Sequence, residues 1–386
     1  MRAILRIVFG TLFLAAIEAR GEGKLFEYRY RSVRDLHAVA ASGVAIAGVD
    51  RDRKTYFVYS EDGAVPVAAG TPVAAREVPV VDARYTRYDV LRSKLAEWQD
   101  ARPDVVRVER LGWTHEGREV LAVRLGPMNV ARPRPAVLVD AMHHAREVMT
   151  TEVALDLVET LVDGYPTDPD VRRWLNAFDV WVVPMVNPDG NERVHTRVPM
   201  WRKNTKGTNG VDLNRNYPTK FGRCRGSSGD PRNETYRGPG RASEEETRHL
   251  LALAERIRPT INLSYHTFSE MVLWPMGCPN DAISSVHRGR YLALGRGLAS
   301  RLVRDSGRVG YAAGTSYQLL YPTDGVSIDH LYRAFGTMAF VLEVNSSRLG
   351  FQPSYDWRAA TVRRQRAGWR YVLNEMLRNP TPLGGR

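Results

Sequence analysis

Two cysteines, Cys224 and Cys278, are all that the 386 residues carry, so a disulfide framework is excluded and at most one bridge can form. Beyond the N-terminus no segment strings together the roughly 20 apolar residues that a membrane span requires, and the chain shows no internal repeat and no long low-complexity tract. Positive charge outweighs negative, with 55 Lys+Arg against 43 Asp+Glu for a formal +12. The excess is scattered and is not gathered into a basic run or a groove-reading motif, which argues against nucleic acid as a partner. A basic exterior favours acidic substrates, anionic cell-wall polymers or membrane headgroups through long-range steering, and it names none of them.

What is present suits an α/β protein of ordinary composition, with 43% hydrophobic residues and length for one large domain plus a smaller appendage. Met-Arg-Ala-Ile-Leu-Arg, an apolar stretch from Ile7 to Ile17 and small or polar residues around Ala19 to Gly23 read as a secretory signal over residues 1–20. A buried N-terminal helix is the alternative. The stretch is too short to cross a bilayer, so the expectation is a secreted or periplasmic protein without stable membrane insertion. That location permits a Cys224–Cys278 bridge.

A module over residues 24–80 follows. It has strand-like stretches at Phe26 to Tyr30, Val44 to Val49 and Thr55 to Tyr59, and a helix-like stretch from Val33 to Ala41 that ends before Gly43. Ala64 to Pro79 reads as a linker. The main domain, residues 81–386, opens on the helix-patterned Tyr88 to Gln99. Apolar strands are expected at Val120 to Leu125, Ala136 to Asp140, Val180 to Val186, Ile261 to Tyr265 and Met338 to Val344, and helices at Glu152 to Leu161 and Glu244 to Ile257. This alternation predicts a three-layer α/β/α fold around a mixed, largely parallel twisted sheet. Ligands of such sheets sit beyond the carboxyl ends of the strands. There the sequence places His143 to Glu147, Asn187 to Gly190 and His266, while the last strand carries Glu343 among apolar neighbours.

A catalytic zinc takes three protein ligands and leaves one position open. His144 and Glu147, three apart in a strand-to-helix turn, supply two, and His266 from another strand end completes the set. Taken alone, the His-x-x-Glu spacing is weak, and a solvated loop explains it as well. His143 competes with His144, but adjacent residues of an extended segment point to opposite sides and only His144 has the spacing to Glu147. Glu343 is the candidate general base, because a carboxylate in an apolar strand needs a partner or a function. A salt bridge to one of the many arginines is the competing account. Asp329 is a rival base, better read as a helix cap.

His144-Ala145-Arg146-Glu147, Asn187-Pro188-Asp189-Gly190, Trp201-Arg202-Lys203, Asp212-Leu213-Asn214-Arg215-Asn216 and Tyr236-Arg237-Gly238-Pro239 occur in this order. Ser243-Glu244-x-Glu246, Ser264-Tyr265-His266, Tyr321 with Ser327-Ile328-Asp329, and the Glu343 strand continue it. Over about Tyr88 to Trp369 the chain thereby resembles the zinc carboxypeptidases of the A/B type. The resemblance implies one Zn2+ per chain held by His144, Glu147 and His266, and hydrolysis of the C-terminal peptide bond by zinc-bound water with Glu343 as base. It implies Arg202 as oxyanion donor, Asn214, Arg215 and Tyr321 as binders of the terminal carboxylate, and Arg146 as a contact further along the cleft. Ile328 falls where A-type enzymes are apolar, which favours an apolar C-terminal residue, whereas Asp324 on the same loop would suit a basic one.

Residues 24–80 resemble in position the pro-segment of the family's zymogens, with an accessory domain as the alternative. The expected partners are peptide or protein C-termini, and the expected state is a monomer. Two other readings stay open. One is an exported metallopeptidase of the same fold acting on peptidoglycan stem peptides, and the other is a non-catalytic binding module.

Overall fold

The computed structural model describes residues 23–66, 69–78, 80–130 and 133–379. The expected signal over residues 1–20 lies outside the described residues. The N-terminal module consists of β1 (Lys24–Arg29), α1 (Val33–Ala41), β2 (Ile46–Asp50), β3 (Thr55–Ser60) and β4 (Ala74–Glu77). Its strands pair antiparallel in the order β2-β3-β1-β4. Helix α1 starts where the Asp35 carboxylate accepts from the Arg31 and Ser32 backbone N–H groups. It stops before Gly43, whose φ of 89° turns the chain into β2. Strand β4 corrects the linker reading of Ala64 to Pro79. All four of its residues are exposed, so neither alternation nor an apolar run marked it.

The main domain runs through α2 (Tyr88–Ala101), β5 (Val106–Trp113), β6 (Glu119–Leu125), β7 (Ala136–Ala141), α3 (Met149–Gly164), α4 (Pro169–Ala177), β8 (Asp179–Val183) and α5 (Pro188–Thr196). It continues with α6 (Glu245–Ile257), β9 (Ile261–Thr267), β10 (Met271–Trp274), α7 (Ser285–Ala299), β11 (Ala312–Thr315), α8 (Ser316–Leu319), α9 (Ser327–His330), β12 (Met338–Val344) and α10 (Arg358–Arg378). The eight strands lie in the order β11-β10-β12-β9-β7-β8-β6-β5. The central β12-β9-β7-β8 run is parallel, as is β10 with β11, and the other pairs are antiparallel. Strand β8 stops at Val183, short of the expected Val186, because Pro184 has no N–H to give the ladder.

The expected three layers are present. On one face Val137, Val139, Leu263, Phe340 and Leu342 pack with Leu155, Trp174, Leu298 and Trp369 of α3, α4, α7 and α10. On the other, Ala136, Leu138, Ala339 and Val341 pack with Leu250 and Leu253 of α6 and with Ile328. Because side chains alternate along a strand, His266 and Glu343 fall on this second face. The parallel register of β9 and β12 sets them directly side by side. The module sits over the same region, with Leu25 and Phe57 packed against Met200, Phe268 and Phe351.

Candidate metal centre and substrate cleft

Strand β7 ends in Met142, which adopts the left-handed region at φ 58° and turns the chain sharply. The two histidines that follow diverge. His143 points into the core, where its Nδ1 lies 3.3 Å from Asp140 and its Nε2 meets the Tyr217 hydroxyl at 2.8 Å. Burial, with His266 and His144 nearby, keeps the His143 pKa well below its ordinary value. His144 points to the cleft, and its Nδ1 lies 2.7 Å from Glu147 Oε1. His266 Nδ1 lies 2.9 Å from Glu147 Oε2 and 3.2 Å from His144 Nδ1. The three residues are buried, and their ligand atoms all lie within 4.8 Å of one another.

Charge is concentrated here. Burial alone would raise the Glu147 carboxyl, but His144 and His266 outweigh it and hold the group well below the usual carboxylate range. Burial and then the Glu147 charge push the neighbouring Glu343 carboxyl up to about 8, against the pull of His144, Arg202 and Arg215. Asp212, fully buried, lies 3.2 Å from His144 Nε2 through Oδ1 and accepts from Arg202 Nε and Nη2 at 3.0 and 2.9 Å through Oδ2. Burial opposes the Asp212 charge, yet Arg202, His144 and Arg215 keep its pKa well below the ordinary value.

One cavity is lined by His144, Glu147, His266, Glu343, Arg202, Asn214, Arg215, Tyr321 and Ile328. The structure thus brings together every site residue expected from the sequence except Arg146. That side chain lies off the cavity, pairs with Glu234 at 2.8 Å and stacks its guanidinium over Phe351, 4.4 Å from the ring centroid. Asn214 approaches His266 Nε2 at 3.4 Å and accepts from the Ser327 N–H at 2.9 Å. Tyr321 donates from its hydroxyl to the Ile46 carbonyl of the module at 3.2 Å. The apolar end of the cavity holds Leu273, Leu320, Val326, Ile328 and Val341. Asp324 is not among its lining residues, and its carboxylate is taken by Cys224 N, Gly226 N and the Ser227 hydroxyl. Asp329, the rival base, accepts from Gly277 N at 3.0 Å and lies outside the cavity.

Sequence reasoning left Asp212 and Glu234 without roles. Asp212 stands inside a string that the motif reading quotes, but only the fold shows that it joins His144 to Arg202. The cysteines form the single bridge the sequence allows, Cys224 to Cys278, with Cα atoms 5.7 Å apart. Among the described residues the other acidic group compact enough for a cation is Glu244–Glu246. Its near side is filled, since Asn204 Nδ2 donates to Glu244 and Glu246 and Lys206 pairs with Glu245.

A family model described as zinc carboxypeptidase matches residues 91–362. The chain is 29% identical over 276 residues to carboxypeptidase A6 of Mus musculus, covering 69% of this chain and 62% of that protein, so it spans less than two thirds of that relative's length. It is 28% identical over 375 residues to a zinc carboxypeptidase of Saccharothrix mutabilis subsp. capreolus, covering 86% of this chain and 84% of that one. The solved structure of carboxypeptidase A from Helicoverpa armigera shares the fold with a TM-score of 0.77 at 20% identity, over 94% of this chain and 98% of the other.

Proposed function

The chain belongs to the zinc carboxypeptidase family, and from that premise we propose that it is a zinc-dependent metallocarboxypeptidase. It cuts the last peptide bond of peptides and proteins and releases the C-terminal residue. One observation carries the reading: two imidazole nitrogens and a carboxylate converge beside Glu343, Asn214 and Arg215 on a single cavity. The donor set fits zinc. At most one N–H can lie between ring nitrogens 3.2 Å apart, whereas one ion between them satisfies both rings and Glu147. The other His144 nitrogen faces Asp212, which fixes the ring for that task.

When bound, zinc supplies Lewis-acid activation of a water and of the substrate carbonyl, and its positive charge favours the ionised form of Glu343 that a base requires. Glu343 takes a proton from the attacking water and gives it to the leaving amine as the C–N bond breaks, so no covalent acyl-enzyme forms. Arg202, oriented by Asp212, faces the developing oxyanion. Arg215 and Asn214 bind the terminal carboxylate through a cationic fork and an amide donor, and Tyr321 closes over it. Arg146, which lies off the cavity here, contacts the substrate upstream by exchanging its Glu234 partner for it. Ile328, Val326, Leu273 and Val341 receive the terminal side chain, which favours an apolar residue, since the Asp324 carboxylate is already engaged.

Residues 24–80 act as a pro-segment in this reading, and residues 81–386 as the catalytic domain. Ala47 and Gly48 line the cavity, and the Ile46 carbonyl holds Tyr321, so the module stands where a substrate chain must pass. The enzyme works as an exported monomer whose residues 1–20 are its signal.

The test is elemental analysis of the full-length protein with a residue-release assay on a blocked dipeptide ending in an apolar residue. The assay is run before and after a trypsin-like protease, with and without chelator. One zinc per chain, and release that rises after proteolysis and vanishes with chelator, are expected. Glu343→Gln should keep the metal and lose on the order of 100 to 10,000 fold in kcat. A zinc-loaded parent that spares such dipeptides but trims muropeptides would replace this substrate class with the cell-wall one.

A further inference from the structure

We infer that Asp324 is a positioning residue for the carboxylate clamp: through the Cys224–Ser227 turn it holds the Gly226 carbonyl against Arg215 and so sets the affinity for a substrate's terminal carboxylate. The inference rests on the proposed role of Arg215 in binding that carboxylate.

A carboxylate with no exposure needs its hydrogen-bonding capacity filled. Asp324 is fully buried and is filled from one short turn. Its Oδ2 accepts from Cys224 N at 2.9 Å and Gly226 N at 3.1 Å, and its Oδ1 accepts from the Ser227 hydroxyl. Bonds to an ionised acceptor are about twice as strong as neutral ones, so the turn is fixed to this side chain. The middle residue of the turn then faces the clamp, where the Gly226 carbonyl accepts from Arg215 Nε at 2.9 Å. Among the described residues the other hydrogen bond of that guanidinium is local, from Nη1 to the Asn214 carbonyl at 2.7 Å. Among the described residues Gly226 therefore supplies the hydrogen bond that reaches the Arg215 guanidinium from outside its own segment.

Steric fit supports the same chain of contacts. A Cβ on Gly226 would lie 2.4 Å from Thr323 Cα, and one on Gly325, at φ 64°, would lie 2.2 Å from the Arg215 carbonyl oxygen. Backbone rests on backbone at both places, so neither loop can shift without moving the other. Ser327 N holds the Asn214 side chain at 2.9 Å, which ties the second clamp residue to the same loop. The disulfide closes the assembly, since Cys224 and Cys278 set their sulfurs 3.6 and 3.8 Å from the Thr323 carbonyl oxygen.

Asp324→Asn in the full-length chain, assayed as purified and after the protease step, separates positioning from general damage. The amide can keep its oxygen on the Cys224 and Gly226 N–H groups and give its N–H to the Ser227 hydroxyl, but it lacks the charge that strengthens all three bonds, so the grip on Gly226 should loosen. KM for the blocked dipeptide and Kd for 2-benzylsuccinate should each rise about tenfold or more, the ratio expected for one charge-assisted bond. The kcat should stay within about threefold, and zinc content should stay at one per chain. Ser227→Ala, which removes one donor of the three, should move KM and Kd in the same direction by less, and it carries the comparison if Asp324→Asn does not fold. KM and Kd within twofold of the parent, or a loss confined to kcat or to zinc, overturns the inference. A parent that releases no C-terminal residue instead sinks the carboxypeptidase reading, and the ratio of 2-benzylsuccinate Kd values still decides the role of Asp324.

Discussion

Asp212 faces His144 with one oxygen and Arg202 with the other, so a single buried carboxylate orients a proposed zinc ligand and the guanidinium proposed to meet the oxyanion. Asp212→Asn keeps the shape and removes the charge. It leaves Arg202 without its counter-ion and weakens the preference of His144 for presenting Nδ1 to the metal. Partners of this kind are worth about 10 to 100 fold in metal affinity or activity. We therefore expect zinc affinity and kcat/KM each to fall by roughly that factor, as read by competition with a chelating dye and by steady-state kinetics; unchanged values in both would remove Asp212 from the account. Sequence reasoning singled out Glu343 because a carboxylate in an apolar strand conflicts with its surroundings, and His144, Glu147 and His266 because a three-residue spacing in a strand-to-helix turn and a second strand end offer a metal its ligands. Asp212 lies in an irregular segment without such a background, and its partners come from two other parts of the chain. No local pattern could announce it.

Elements were legible where one face is apolar with a fixed period. Strand β12 and the helix α1 have the limits that the apolar run and the Gly43 stop assign them. Helix α10 was missed because its buried stripe includes Thr361, Gln365 and Gly368 among Val362, Trp369, Val372 and Leu373, with Arg363, Arg364, Arg366 and Arg370 between them. Polar residues dilute the 3.6-residue signal there, and only packing against α3 and α7 makes the helix evident. Strand β4 escaped for the opposite reason: its four residues are exposed and show no apolar face, and it joins the sheet by backbone pairing to β1. The module lies close against the catalytic domain at β2, where a Cβ on Gly48 would lie 2.4 Å from the Phe268 ring. Gly48→Val puts a branched side chain into that space and should lift β2 from the cleft. If residues 24–80 block the site, this variant has higher basal activity than the parent before any proteolysis, by several fold, and a smaller further gain afterwards. Equal basal rates, with the variant's secondary structure intact, would count against a pro-segment.

Across the whole molecule, acidic groups displaced from their ordinary ionisation also occur outside the cleft. Glu246 has no exposure, and burial, reinforced by Asp189 and Glu244, pushes its pKa up to about 7. Burial and the neighbouring Asp305 push Glu270 to about 7 as well. A carboxyl raised on folding keeps its proton in the native state after the unfolded chain has released it. Its contribution to stability is complete below the unfolded pKa near 4.5 and is lost as the pH rises through about 7. His143 works the other way, since its depressed pKa means that the unfolded chain takes up a proton first as the pH falls below about 6.5. The pH profile of the parent therefore mixes opposing slopes, and the informative quantity is the difference between the parent and Glu246→Gln. The glutamine keeps an oxygen toward Asn204 and cannot ionise. The variant should gain on the parent between about pH 5 and 7, reaching an advantage on the order of 2 to 4 kcal/mol by pH 8 if the side chain packs unchanged. Denaturant unfolding of both proteins at several pH values measures it, and a difference that does not change with pH would mean that Glu246 ionises in the native state as it does in the unfolded chain.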